Sequence, residues 1–215
     1  MQAPVRLKKP LLIIFFILLA DQVLKFWIKT HMYLGQEFSV FGQWFIIHFT
    51  ENEGMAFGMT FGGEFGKLML SLFRIVAITA IGWYLVHLSR ESRRPGLVYS
   101  VALIFTGALG NLIDSAFYGM LFTDSYARVA EFLPAGGGYA SFLHGKVVDM
   151  FYFPLFTTQL PDWLPLWGGQ EFQFFRPVFN IADASISVGV VWLILFQRRY
   201  FGTEPKVALI QEKEG

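Results

Sequence analysis

The sequence predicts an integral membrane protein, mainly α-helical, with four transmembrane helices, a small extracytoplasmic β-structure and a long outer loop insertion. Three observations carry this. The 215 residues are 54% hydrophobic, 18% aromatic and only 15% charged, with mean hydropathy +0.48, whereas soluble domains average about 25% charged residues. Four stretches supply the roughly 20 apolar residues, at about 1.5 Å each, that a hydrocarbon core about 30 Å thick requires. Lys and Arg gather where these stretches begin and end on one side.

The first stretch, from about Pro10 to Ile28, reads PLLIIFFILLADQVLKFWI. The basic start and apolar run of VRLKKPLLIIFFILLA also fit a secretory signal peptide. The residues before Ala20 are bulky rather than small, and the apolar pattern resumes through Val23, Leu24, Phe26, Trp27 and Ile28, so a retained helix is expected. The second stretch runs from about Gly66 to Leu88. The third, from about Gly96 to Tyr118, is GLVYSVALIFTGALGNLIDSAFY. The fourth runs from about Val178 to Phe196. A single domain covers residues 1–215.

Arg6, Lys8 and Lys9 precede the first span; Arg90, Arg93 and Arg94 lie between the second and third; Arg198 and Arg199 follow the fourth. With four spans these positions share one side, and the excess of Lys and Arg makes it the cytoplasmic one. Both termini are then cytoplasmic, with a tail from about residue 200 to 215. Residues of about 29–65 and about 119–177 lie outside. The first outer segment is Gly-rich with runs such as SVFGQWFIIHF, which predict a small β-structure against the membrane surface. The second contains AGGG at Ala135–Gly138, FYFPLF and PDWLPLW, the composition of an ordered interfacial loop.

Several function classes are disfavoured. A net charge of +1 argues against a nucleic-acid binder, which would carry a basic face. With no Cys there are no disulfides, thiolate metal sites or Cys nucleophiles. His31, His48, His87 and His144 lack ligand spacing, and neither a G-x-S-x-G elbow nor a phosphate-binding loop is present. No metal and no cofactor is expected.

Polar residues inside the spans are informative, because an Asp at the centre of a membrane helix costs roughly 2.5–3.5 kcal/mol on insertion scales. Asn180, Asp183 and Ser187 share one helical face, and Ser100, Gly107, Asn111 and Asp114 form a second stripe. Asp21 and Lys25 have the i,i+4 spacing of an ion pair. Asp149 sits in GKVVDMFYF, where the outer loop returns to the membrane. These groups converge on the outer leaflet. A structural polar cluster fixing helix register is the simpler reading for Asp21 with Lys25. It is as good as a functional one for Asn111 and Asp114. It is weaker for Asp149 and Asp183, whose motifs hold no neutralising cation, although Lys146 could partner one of them in space. Two carboxylates forced together at low dielectric share a proton and hold a water between an acid and a base, as in aspartic proteases.

Five motifs, DQVLKFWI, ENEGMAFGM, GALGNLID, GKVVDMF and FNIADASIS, occur in that order. Together they resemble the bacterial lipoprotein signal peptidases (signal peptidase II). The matched blocks cover about a third of the residues and frame the whole chain. The resemblance implies a four-helix aspartic endopeptidase of the bacterial cytoplasmic (inner) membrane, with its active site facing the extracytoplasmic side. Its substrates would be lipid-modified prolipoproteins, cleaved just before a diacylglyceryl-modified cysteine; membrane lipids are its other partner. It implies Asp149 and Asp183 as the catalytic pair, with Asn52, Gly54, Asn111, Asp114 and Asn180 lining the substrate site and Asp21 and Lys25 supporting it. One Asp, ionised, would take a proton from water while the other donates to the scissile carbonyl oxygen.

Two features depart from the family pattern. Ser115 stands where an Arg usually follows the G-N-x-x-D aspartate, so that guanidinium is absent or comes from Arg74, Arg128 or Arg176. The intervals on either side of Asp149 are long, which implies two insertions. Phe117–His144 and Phe151–Arg176 are expected near the active site, with Gly136, Gly137 and Gly138 as a hinge and Trp163 and Trp167 at the membrane–water interface. A rival class is a small non-enzymatic membrane carrier or scaffold. Four spans are few for alternating access and no inverted repeat is visible.

Overall fold

The computed structural model describes residues 7–53, 63–91, 94–174 and 177–201. Apolar length produces the helices. α1 spans Lys8–His31; after the strands β1 (Glu37–Phe41) and β2 (Phe45–Asn52) come α2 (Gly63–Glu91) and α3 (Pro95–Ile113). α3 continues through a π-helical turn, Asp114–Tyr118, into the short α4 (Gly119–Leu121). The strands β3 (Val147–Tyr152), β4 (Phe156–Gln159), β5 (Glu171–Phe174) and β6 (Val178–Phe179) precede α5 (Ile181–Phe201). Among the described residues, four helical segments are long and apolar enough to cross a membrane: Lys8–His31, Leu68–Glu91, Pro95–Leu121 and Ile181–Arg198. Large apolar side chains such as Phe15, Phe16, Phe73, Val76 and Leu195 stay exposed along them, as lipid-facing positions require.

α3 is the central helix, packing against α1, α2 and α5. Its contact with α5 runs through small residues. A Cβ on Gly107 would strike the Ala182 carbonyl and Ile186, and one on Gly189 would strike the Ser100 carbonyl and Ile104. Membrane helices lack a hydrophobic drive to associate, so close approach of this kind supplies the van der Waals contact that replaces it.

At the end of the bundle where α1 finishes and α5 begins lies an antiparallel sheet in the order β1-β2-β3-β6. One face of it buries Phe49, Val148 and Met150 against Ile28 and Met32 of α1 and Tyr118 and Phe122. The alternate positions belong to the other face, among them Asp149, opposite Thr50. The chain was expected to be helical from Val178. It starts three residues later, because Val178 and Phe179 pair with Tyr152 and Phe151 as β6.

The segment between α4 and β3 is held to the bundle. Lys29, buried, places its Nζ 2.6 Å from Glu51 Oε1 and 2.7 Å from Ser125 Oγ, over the rings of Phe122 and Tyr139. Of the three glycines expected to hinge, Gly136 and Gly137 have open space around them and Gly138 is packed. Gly138 lies against the backbone of Gly119 and Met120, where a Cβ would clash. The amides of Tyr139 and Ala140 then bond to the carbonyls of Phe122 and Gly119 at 3.0 and 2.9 Å. These bonds fix the segment beside α4.

A direct check on the α3–α5 contact compares two glycines. Gly107→Ala forces the helices apart and should cost about 1–3 kcal/mol, read as a lowered melting temperature in detergent. Gly136→Ala, with open space around it, should melt as the unaltered protein does.

Candidate active site

The N-terminus of α5 explains how a carboxylate comes to lie at the head of an apolar helix. Asn180 immediately precedes α5, and its Oδ1 accepts the Asp183 amide N–H at 2.8 Å. Asp183 Oδ2 reaches back to the Asn180 amide at 3.4 Å. This is a capping box built from Asn and Asp, which satisfies two amides that a helix start leaves without partners. The positive end of the helix dipole also favours an acidic group there. A third amide, that of Ala182, donates to Oδ1 of Asp21 on α1 at 3.0 Å. Asp21 therefore caps α5 from another helix as well as meeting Lys25.

Asp149 approaches from β3. Its Oδ1 accepts from Asn180 Nδ2 at 2.7 Å, and the same nitrogen lies 3.1 Å from Asn111 Oδ1 and 3.2 Å from the Val148 carbonyl oxygen. Asn111 Nδ2 in turn donates to Asp183 Oδ1 at 2.8 Å. Two carboxylates from distant parts of the chain are thus joined through two carboxamides. Asp149 is buried, and its carboxyl is pushed up to about 7, first by loss of water and then by the neighbouring charge of Asp183. Lys25 partly offsets this.

Below this chain sits Lys25, fully buried. Its Nζ is 2.9 Å from Asp21 Oδ2, 2.8 Å from Asp114 Oδ2 and 3.0 Å from Asn111 Oδ1. An ammonium has three donors, and the three acceptors match them. Gln22 completes the cluster, donating to Asp114 Oδ1 at 2.9 Å and to Asp21 Oδ2 at 3.1 Å. Asp114 also accepts the Val148 amide at 3.3 Å, one residue from Asp149. Its position at the first residue of the π-helical turn fits the tendency of such turns to occur at functional sites.

The structure brings together Asp21, Lys25, Asn111, Asp114, Asp149, Asn180 and Asp183. Asn52 ends β2, exposed, opposite Val147 and on the same sheet face as Asp149. Gly54 lies outside the described residues. Ser187, grouped with Asp183 by periodicity, is exposed. Lys146, considered as a counter-ion for Asp149 or Asp183, instead meets Glu51 at 3.6 Å and Glu53 at 4.0 Å. The three arginines considered as replacements at Ser115 separate clearly. Arg128 turns to the Asp124 carbonyl, and Arg176 lies outside the described residues. Arg74 of α2 donates to Ser115 Oγ at 3.2 Å, and its charge interacts with Asp183 and Asp114. Gln22 and the Lys29–Glu51–Ser125 cluster were not singled out from the sequence; a polar Gln between Asp21 and Lys25 on an apolar helix was the available signal for the first.

The sequence matches the family described as signal peptidase (SPase) II over residues 13–198. The chain belongs to the signal peptidase II family. A lipoprotein signal peptidase of Porphyromonas gingivalis is 50% identical over 184 residues, covering 85% of this chain and 80% of that protein. One from Amoebophilus asiaticus is 38% identical over 181 residues, covering 83% and 72%. Two bacterial membrane enzymes solved by the in meso method share the fold. The first has TM-score 0.61 at 23% identity, covering 97% of this chain and 99% of that one. The second has TM-score 0.60 at 25% identity, covering 92% and 97%. The family and the four spans make this a bacterial multi-pass membrane protein.

The sequence alone treats Asp21 and Lys25 as an isolated pair, whose joint removal should be mild. With Asp114 on the same ammonium the expectation changes. Lys25→Ala leaves two buried carboxylates without their cation and should cost about 3–5 kcal/mol. Adding Asp21→Ala to it should restore only part of that, and adding Asp114→Asn as well should restore more. Melting temperatures of the purified single, double and triple variants give the order.

Proposed function

We propose that this protein is a membrane aspartic endopeptidase that removes signal peptides from prolipoproteins, cutting before a diacylglyceryl-modified cysteine with a water activated between Asp149 and Asp183. Family membership supports the reaction. The observation that carries the residue assignment is the chain Asp149–Asn180–Asn111–Asp183, in which carboxylates from β3 and α5 meet through amide side chains.

In this reading Asp149 holds the proton of the pair. Burial and the Asp183 charge favour its neutral form near pH 7, while the Lys25 ammonium is engaged by Asp21 and Asp114. Asp183, near the Arg74 charge and bonded by Asn111 and the Asn180 amide, is the base. It takes a proton from water as the oxygen attacks the scissile carbonyl carbon, and Asp149 donates its proton to the carbonyl oxygen. The tetrahedral intermediate then collapses: the C–N bond breaks, the leaving amine takes the proton held by Asp183, and Asp149 recovers its own as the carbonyl reforms. Asn52, Gly54, Asn111, Asp114 and Asn180 line the substrate site, where donors and acceptors for an extended peptide backbone are needed because water is scarce. Asp21 and Lys25 support it by capping α5 and holding Asn111. Arg74 takes the place of the guanidinium that the family pattern sets after Asp114.

The site faces the extracytoplasmic side of the inner membrane, with both termini cytoplasmic. Lys8, Lys9, Arg90, Arg94 and Arg198 all belong to the helix ends opposite the sheet, and positive ends stay inside. The polar cluster at one end of the bundle also differs from the midplane site of a carrier.

The test is a gel-shift assay with purified protein and a lipidated prolipoprotein in detergent, where no proton gradient exists. Asp149→Asn and Asp183→Asn should each abolish cleavage while the variants still fold, because Asn keeps the shape and hydrogen-bonding reach but cannot carry the proton. Near-normal cleavage by either variant contradicts the assignment.

A further inference from the structure

The segment between Tyr152 and Val178 joins the strand that carries Asp149 to the strand that leads into Asp183. Its β4 and β5 form a separate two-stranded sheet. The pairing sets Phe156 opposite Phe174 and Thr158 opposite Phe172. Opposed residues, and those two apart, share a face, so Phe156, Phe172 and Phe174 lie together. The first and last stack with ring centroids 5.0 Å apart. Gln159 and Glu171 alternate to the opposite face. The hairpin is therefore amphipathic, and its phenylalanines are exposed.

The loop at its tip is apolar too. Trp163 is 78% exposed and Leu166 is 87% exposed, with Trp167 beside them. The tip is an ordered turn rather than a loose strand: the Leu164, Gly168 and Gly169 amides bond to the carbonyls of Pro161, Leu164 and Leu160 at 3.0 Å each. An isolated hairpin is marginal in water, and an apolar face of this extent calls for an occupant.

The surroundings identify it. Trp27 lies just before the last turn of α1, near the end of a membrane span, and packs on Phe38 of β1 with centroids 6.3 Å apart. From the end of β1 an aromatic run continues along the sheet: Phe41 stacks on Trp44 at 5.9 Å, and Trp44 meets Phe153 at 6.4 Å. Phe153 lies face to face on Phe45 at 4.7 Å and stacks on Phe179 at 5.8 Å. It is the residue that follows β3 on the way into the hairpin. Two aromatic groups, both based on β1, thus connect a helix end with the hairpin root, and Trp is the residue type that collects at membrane–water boundaries.

We propose that the β4–β5 hairpin lies on the lipid surface of the leaflet nearest the sheet, with Phe156, Phe172, Phe174, Trp163, Leu166 and Trp167 set into the headgroup–acyl boundary. It is a membrane anchor placed in the connection between the two Asp-bearing elements, so it fixes the depth of β3 and of the α5 start relative to the leaflet. The physical placement stands independently of the peptidase reading; the consequence for the site rests on it.

The test uses the full chain with a single tryptophan, retaining Trp163, Trp167 or Trp27 and replacing the others with Phe. Each is reconstituted in phosphatidylcholine–phosphatidylglycerol vesicles containing lipids brominated at defined acyl depths. Trp163 and Trp167 should be quenched most by bromine nearest the headgroups, to the same degree as Trp27, and little by aqueous acrylamide. Quenching by acrylamide with none by brominated lipid overturns the proposal. Protection from both quenchers also overturns it and identifies a protein occupant, such as a second copy of the chain. Because fluorescence reads position without turnover, this result is independent of whether Asp149→Asn abolishes cleavage.

Discussion

The site depends on one buried ammonium. Lys25 satisfies its three donors on Asp21, Asn111 and Asp114, and in doing so ties α1 to α3. Through Asp21 it reaches the head of α5, and through Asp114 it reaches the amide next to Asp149. Water cannot complete an unsatisfied group at this depth. Each contact is therefore a constraint on where a helix or strand can sit, and together they fix the distance between β3 and α5.

The same distribution of charge underlies the proposed chemistry. Four carboxylates, Asp21, Asp114, Asp149 and Asp183, gather around two cations, Lys25 and Arg74. Lys25 is engaged by the first two, and Arg74 stands near Asp183 and Asp114. Asp149 is left with a carboxamide donor and a carboxylate neighbour, and burial does the rest. A proton held there near neutral pH is the state an acid catalyst needs. The arrangement that keeps the helices in register thus also leaves Asp149 without a cation of its own, and in the proposed mechanism it is the proton donor.

Much of this is legible in the sequence, for identifiable reasons. Membrane spans follow from apolar length, which is local. Asp21 and Lys25 are visible as a pair because i,i+4 spacing is local too. Their third partner, Asp114, is not, since it lies on another helix. Asp183 reads as an anomaly in an apolar run until Asn180 is seen to cap the helix, which moves the start of α5 from Val178 to Ile181. Asp149 reads as a carboxylate near the membrane, but its strand is hidden because β3 is buried along most of its length and lacks alternation. Its partner β2 lies about a hundred residues earlier, a separation that no periodicity reports. Arg74 could be named only among three arginines, and its contact with Ser115 across α2 and α3 singles it out among the described residues.

The central claim is that Asp149 and Asp183 hold one proton between them and that Asp149 carries it. Infrared spectroscopy of the detergent-purified protein with isotope-labelled aspartate carboxyls reads this directly. At about pH 6.5, where ordinary aspartates are ionised, a protonated-carboxyl band should be present and should disappear as the pH rises through about 7. At that pH the band should be largely lost in Asp149→Asn. Absence of the band at about pH 6.5, or its undiminished persistence there in Asp149→Asn, would contradict the account.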